Sequence, residues 1–174
     1  MVQRQRGFTL IELISVMVLV GILSAVAFSR FADTSVYSQS LFISKIQSQL
    51  SLAQQLASAH QGNSKSILTS LSFSKTANDI WQVQISTANG AQIVDIKSAD
   101  TLNFGKAALA INQRLSLFFN DNGDIIKQNY ATIDQPITAK ASTATTFSHS
   151  TVLSVGAQTL CIVPSGYSYQ GPCE

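Results

Sequence analysis

Glu12 stands three residues after Thr9, just inside an apolar run from Phe8 to Phe28 that holds no other charge. A carboxylate so placed has three physical explanations. Thr9 and Glu12 have the T-x-x-E spacing of a capping box, in which the glutamate bonds back to the backbone where a helix starts. So near the end of the run, the side chain can instead reach the lipid headgroups. The third explanation is a buried cation at the same depth, because an unpaired acid inside a bilayer costs about 2.5–3.5 kcal/mol. The run contains no such cation. A second copy of the chain supplies one, its α-amine, if the backbone is cut just before Phe8.

The other residues able to do chemistry are few. Cys161 and Cys173 are the only cysteines. A metal would need two further ligands close by, and none is adjacent. A disulfide closing a short terminal loop in an oxidising compartment competes with two free buried thiols. Asn120-Asp121-Asn122-Gly123-Asp124 gathers oxygens of the kind that hold calcium, but lacks the spacing and terminal glutamate of a helix–loop–helix site. A hairpin turn at Asn122-Gly123 accounts for it as well. His60 and His149 lie far apart with no acidic or cysteine companions. There is no G-x-S-x-G and no phosphate-cradling glycine loop. No catalytic constellation, metal site or cofactor site emerges, so the chain is expected not to be an enzyme. Trp81 sits in an alternating stretch, which places it in a core, whereas Tyr167 and Tyr169 form a candidate contact surface.

The elements that position these groups follow from hydropathy. Arg4 and Arg6 precede the apolar run. At about 1.5 Å per residue the run spans a hydrocarbon core of roughly 30 Å. The basic flank stays cytoplasmic and the rest faces outward. A secretory signal cleaved near Ser24-Ala25-Val26-Ala27 and a plain signal anchor compete with this reading, but neither explains Glu12. Beyond Arg30 polarity rises while Tyr37, Leu41, Ile46, Leu50, Ala53 and Ala57 recur near one helical face, with Gly62 as a stop. One helix from about Phe8 to His60 is expected, on the order of 80 Å long.

After Gly62 the pattern becomes that of strands. IWQVQIS (Ile80–Ser86) alternates, and Asn89-Gly90 before AQIVDIK predicts a hairpin. LAINQRLSLFF, NDNG and DIIKQ predict a second, and TVLSV and TLCIV around Gly156 a third. Ala139–Ser150 is small and polar and reads as a loop entering a strand. The expected class is α+β: a long N-terminal α-helix, transmembrane and then amphipathic, packed on a mostly antiparallel β-sheet head with a short C-terminal loop between the cysteines.

RQRGFTLIELISVMVLVGILSAVAF (Arg4–Phe28) resembles the class III leader and N-terminal helix of type IV prepilins and type II secretion pseudopilins. The resemblance implies cleavage between Gly7 and Phe8 by a membrane prepilin peptidase, and N-methylation of Phe8. It also implies that Glu12 neutralises the α-amine of a neighbouring subunit during assembly. The chain then divides into a leader (1–7), a transmembrane and assembly half of the helix (8–30), an amphipathic half (31–61) and a globular β-rich head (62–174). One departure is Ser29, where many pilins carry proline. LSLFFNDNGDI (Leu115–Ile125) and the tail TLCIVPSGYSYQGPC (Thr159–Cys173) resemble the minor-pilin branch, among them minor pilins of the mannose-sensitive haemagglutinin type. That likeness implies a Cys161–Cys173 disulfide loop on the exposed head.

The partners so implied are other pilin subunits through the N-terminal helix, the prepilin peptidase, an inner-membrane assembly platform and, before assembly, lipid. The implied location is a single pass in a bacterial inner membrane with the head in the periplasm, then a pilus or periplasmic pseudopilus. Three roles compete: a minor pilin of an adhesive pilus, a minor pseudopilin of a type II secretion system, and a DNA-binding minor pilin. Eleven basic against nine acidic residues give a nearly neutral chain, which argues against nucleic acid. No basic residue occurs from Ala141 to Glu174, although Lys65, Lys75, Lys97, Lys106 and Arg114 can still cluster in space.

Overall fold

The computed structural model describes residues 8–31, 34–59, 69–77, 79–138 and 144–174. The chain divides into two compact units, Met1–Ser35 and Val36–Glu174.

The first unit holds helix α1 (Leu10–Phe31). Apart from Glu12, Arg30 and three serines its residues are apolar or glycine, and none is proline, so nothing interrupts the backbone ladder. At about 1.5 Å per residue its 22 residues extend for roughly 33 Å. Leu10–Ala27 is long and apolar enough to cross a membrane, and none of it is buried. The two serines in this stretch do not spoil that character. Ser15 Oγ donates to the Ile11 carbonyl at 2.7 Å and Ser24 Oγ to the Val20 carbonyl at 2.7 Å, so each hydroxyl is satisfied by its own helix.

Helix α2 (Thr34–Ala59) belongs, from Val36 onward, to the second unit. The sequence predicts a single helix from Phe8 to His60; the structure describes two, and residues 32–33 and 60 lie outside the described residues. The buried stripe of α2 is Phe42, Ile43, Ile46, Leu50, Ala53 and Ala57, each no more than 3% exposed. Tyr37 and Leu41, expected on this face, are 72% and 45% exposed. The reason is angular. At 3.6 residues per turn Leu41 lies about 140° and Tyr37 about 180° around the helix from Ile46.

The strands are β1 (Thr69–Ala77), β2 (Ile80–Thr87), β3 (Gly90–Lys97), β4 (Leu102–Phe104), β5 (Ala107–Ala108), β6 (Gln113–Phe119), β7 (Ile125–Thr132), β8 (Ala144–Thr146), β9 (Thr151–Val155), β10 (Gln158–Ile162) and β11 (Ser168–Gln170). They form a six-stranded sheet, β3-β2-β1-β6-β7-β8, and a five-stranded sheet, β11-β10-β9-β4-β5. Every pairing between these strands is antiparallel. The α+β class expected from the sequence is the one observed. Three predicted hairpins are present, one of them with a shifted turn: β2 and β3 close on Thr87 opposite Gly90, so the corner is Ala88-Asn89 and Gly90 takes the positive φ of 139°.

The core is one continuous cluster built from α2 and both sheets. Period-two alternation puts Trp81, Val83 and Ile85 of β2 into it, each 1% exposed, with Gln82 and Gln84 on the opposite face. Leu71 and Phe73 of β1, Leu115 and Leu117 of β6, and Leu153 and Val155 of β9 extend it. Trp81 is thus a core residue, tilted against Phe42 of α2 with ring centroids 5.9 Å apart.

Candidate functional site

The candidate site is the start of α1. The Thr9 backbone N–H donates to Glu12 Oε2 at 3.2 Å, and the Thr9 hydroxyl donates to the same oxygen at 3.1 Å. In return the Glu12 N–H donates to Thr9 Oγ1 at 3.3 Å. This is the reciprocal capping box that the T-x-x-E spacing predicts. It holds the carboxylate over the first turn, where the positive end of the helix dipole favours an anion. Phe8 stands just outside that turn and is 84% exposed. Arg4, Arg6 and Gly7, the leader charges and the expected cleavage position, lie outside the described residues.

Residues 2–28 match the family model described as the prokaryotic N-terminal methylation motif. No curated relative and no solved structure matches the chain. The motif supports a type IV pilin-like or pseudopilin precursor, and one N-terminal helix is long and apolar enough to cross a membrane. The motif implies processing by a prepilin peptidase and assembly with other pilins.

The other sequence-selected residues fall elsewhere in the head. Cys161 and Cys173 form a disulfide with their Cα atoms 5.1 Å apart. Cys161 is fully buried in β10, so the bridge ties the C-terminus to the core. Between the cysteines, Tyr167 and Tyr169 stack at a tilt with centroids 6.1 Å apart, and Tyr167 is 62% exposed. The Asn120–Asp124 stretch is a turn whose oxygens are engaged locally. Asn120 Oδ1 accepts from the N–H groups of Asn122 and Asp124 at 3.0 and 2.8 Å, and Asn120 Nδ2 donates to Asp124 Oδ2 at 3.0 Å. His149 Nδ1 lies 2.8 Å from Ser148 Oγ, and His60 lies outside the described residues. No group of three His, Cys, Asp or Glu is gathered among the described residues.

Two of the cations considered for DNA are not presented to solvent. Lys75 lies over the Trp81 ring, 5.4 Å from its centroid, and donates to the Ala99 carbonyl at 3.4 Å. Arg114 donates to the carbonyls of Ile133 and Gln135, and burial pushes its guanidinium below its ordinary pKa. Lys97 and Lys106 are exposed; Lys65 lies outside the described residues.

Sequence reasoning missed the glutamines of α2. Gln47 and Gln54, seven residues apart, share a flank of the helix about 80–100° from Ile46. Gln47 Nε2 donates to the Ser168 carbonyl at 3.2 Å and Gln54 Nε2 to the Ser165 carbonyl at 3.0 Å. Gln39 bridges Asp100 Oδ1 at 3.1 Å and the Ala157 N–H at 3.3 Å. The Cys-closed tail therefore rests on α2 through side-chain amides. Space for it depends on Gly166, with φ 79°, where a Cβ would sit 2.1 Å from the Gly123 carbonyl oxygen. The available signal was the heptad spacing of glutamines beside the apolar stripe.

Proposed function

We propose that this chain is a minor type IV pilin-like subunit, cleaved between Gly7 and Phe8 and N-methylated on Phe8 at the inner membrane. It is then incorporated into a pilus used in adhesion, or primes its assembly. The methylation motif over residues 2–28 carries the reading. An apolar α1 with no residue of Leu10–Ala27 buried supports it, because such a surface is satisfied by lipid before assembly and by neighbouring helices after it. The minor-pilin assignment and the adhesive role rest on the likeness of Leu115–Ile125 and the Cys-closed tail.

The N-terminal chemistry follows from charge. Hydrolysis of the Gly7–Phe8 bond leaves Phe8 with an α-amine, and methylation of an amine keeps its positive charge. Glu12 is already oriented by Thr9. A neighbouring amine arriving at that depth meets a preformed carboxylate, and the pairing sets the axial register of the two subunits. Each charge is costly alone in hydrocarbon and matched when subunits stack.

The deciding measurement is the intact mass of the protein from sheared surface fibres and from inner membrane. A species lacking residues 1–7, with one added methyl and present in the fibres, is the expected result. The same species confined to the membrane, together with loss of a secreted enzyme on gene deletion, would replace the pilus with a type II secretion pseudopilus. An unprocessed chain in both fractions would leave only a signal anchor.

A further inference from the structure

We propose that the outer edge of β3 is a docking edge whose occupant is β3 of a second copy of this chain. The copies add antiparallel, so that two six-stranded sheets become one. The inference concerns the head alone and stands whether or not α1 builds a fibre.

Among the described residues the two sheets end in four edge strands: β3 and β8 in one, β11 and β5 in the other. β8 and β11 have three residues each and β5 has two. Shortness is one of the ways proteins protect sheet edges from intermolecular pairing; prolines and bulges are others. β3 is neither short, proline-bearing nor bulged, and its charged residues Asp95 and Lys97 are the one edge protection it carries. It is eight residues long, contains no proline, and pairs with β2 in unbroken register from Gly90 opposite Thr87 to Lys97 opposite Ile80. By contrast, the β1–β2 and β6–β7 pairings both contain a register shift.

The direction of the free backbone groups can be counted. Just past the strand, the Ser98 N–H bonds the Asp79 carbonyl at 2.9 Å. Hydrogen-bonded and non-bonded positions alternate along an antiparallel ladder. Ile96, Val94, Gln92 and Gly90 therefore spend their backbone groups on β2. Ala91, Ile93, Asp95 and Lys97 point theirs away from it. Among the described residues no strand pairs with them. Ile93, at the middle of this row, is 53% exposed.

The partner must be an extended strand of comparable length, and among the edge strands described here only β3 itself qualifies. Two copies centred on Val94 place Ala91 opposite Lys97 and Ile93 opposite Asp95, each pair occurring twice. Every outward-pointing residue then meets an outward-pointing residue. The two Ile93 side chains become diagonal neighbours, within reach of each other. One aspartate and one lysine leave each strand without net charge, so the copies carry no net repulsion. The same register also makes the two Asp95 side chains diagonal neighbours, each accepting from Gln82 Nε2 of its own β2 at 3.4 Å.

The test uses the full chain in detergent with its native disulfide intact, since no other cysteine is present. Differently tagged Ile93→Cys and Asp95→Cys chains are mixed and treated with a short thiol cross-linker. The expected yield of the mixed pair is at least about tenfold that of an Asp121→Cys control in the β6–β7 turn, the ratio that about 1.4 kcal/mol of preference produces. Adding Ala91→Lys to both chains sets like charges opposite each other twice, and should remove the cross-link without lowering the unfolding midpoint of the head. Adding Lys97→Glu as well should restore it. A yield at the control level, or one that Ala91→Lys leaves unchanged, overturns the proposal.

Discussion

The two helices of this chain are of similar length and opposite circumstance. In α1 Leu19 is 60% exposed and Ile22 62%, whereas in α2 Leu50 and Ile46 are 0% exposed. Both are apolar where it counts, but α2 gathers its buried apolar residues on one stripe, leaving Val36, Tyr37 and Leu41 exposed, and α1 has apolar residues all round. A stripe finds its cover within the chain's own sheets. An all-round apolar surface needs an environment that covers it from every side, which means lipid or other helices. The head is accordingly a folded object with its own core, whereas none of Leu10–Ala27 of α1 is buried, as the proposed assembly role requires.

Changes that act at only one of the two ends would test this division. The largest effect is expected at Gly7. Replacing it by a bulky residue should abolish processing, seen as retention of residues 1–7 by mass, while the head keeps its unfolding midpoint. Next, Glu12→Ala should leave membrane insertion intact and reduce incorporation into sheared fibres on the order of tenfold or more; normal incorporation would sink the proposed pairing. Within the head, Leu50→Ala should cost about 2–5 kcal/mol in denaturant unfolding. The same change at Leu19 should cost the head nothing, and any comparable loss there would show that the two regions are energetically linked.

Smaller effects sharpen the description of the head. Cys173→Ser removes the bridge across a 12-residue separation and should cost about 2–4 kcal/mol, with the Tyr167–Tyr169 tail becoming sensitive to protease. The smallest effect is at Tyr130, whose hydroxyl donates to the Phe104 carbonyl at 3.5 Å and whose pKa burial raises above 10.0. A raised pKa means that the folded state holds this proton after the unfolded state has released it. Stability is therefore complete below pH 10 and falls as pH rises from there through the folded value. Tyr130→Phe should remove that part of the alkaline slope.

What could be read in the sequence was local. The apolar run, the T-x-x-E cap and three hairpins are encoded within short windows, and each is found. The facing of α2 was misread at its start because Leu41 and Ile46 are five residues apart, a spacing that leaves the helical face. β1 escaped notice because TSLSFSKTA shows only Leu71 and Phe73 against serines, a weak alternation that becomes a central strand only when β2 and β6 flank it. The split into two sheets was hidden for the same reason. It depends on β4 finding β9 across some fifty residues of chain, and no window of sequence contains that pairing. The glutamine contacts of α2 with the tail are equally non-local.

The strand order has a consequence for timing. β1 needs β6, β4 needs β9, and the N–H of Ile125 at the start of β7 bonds the carbonyl of Pro164 at 2.7 Å. Such distant pairings are slow to form and come late. During synthesis the hairpin of β2 and β3 can close early, but the apolar stripe of α2 has no complete bed until the last strands have emerged. The head thus stays loose until nearly all of it is available, which makes the stretch that supplies β9 to β11 the trigger for folding as well as its last piece.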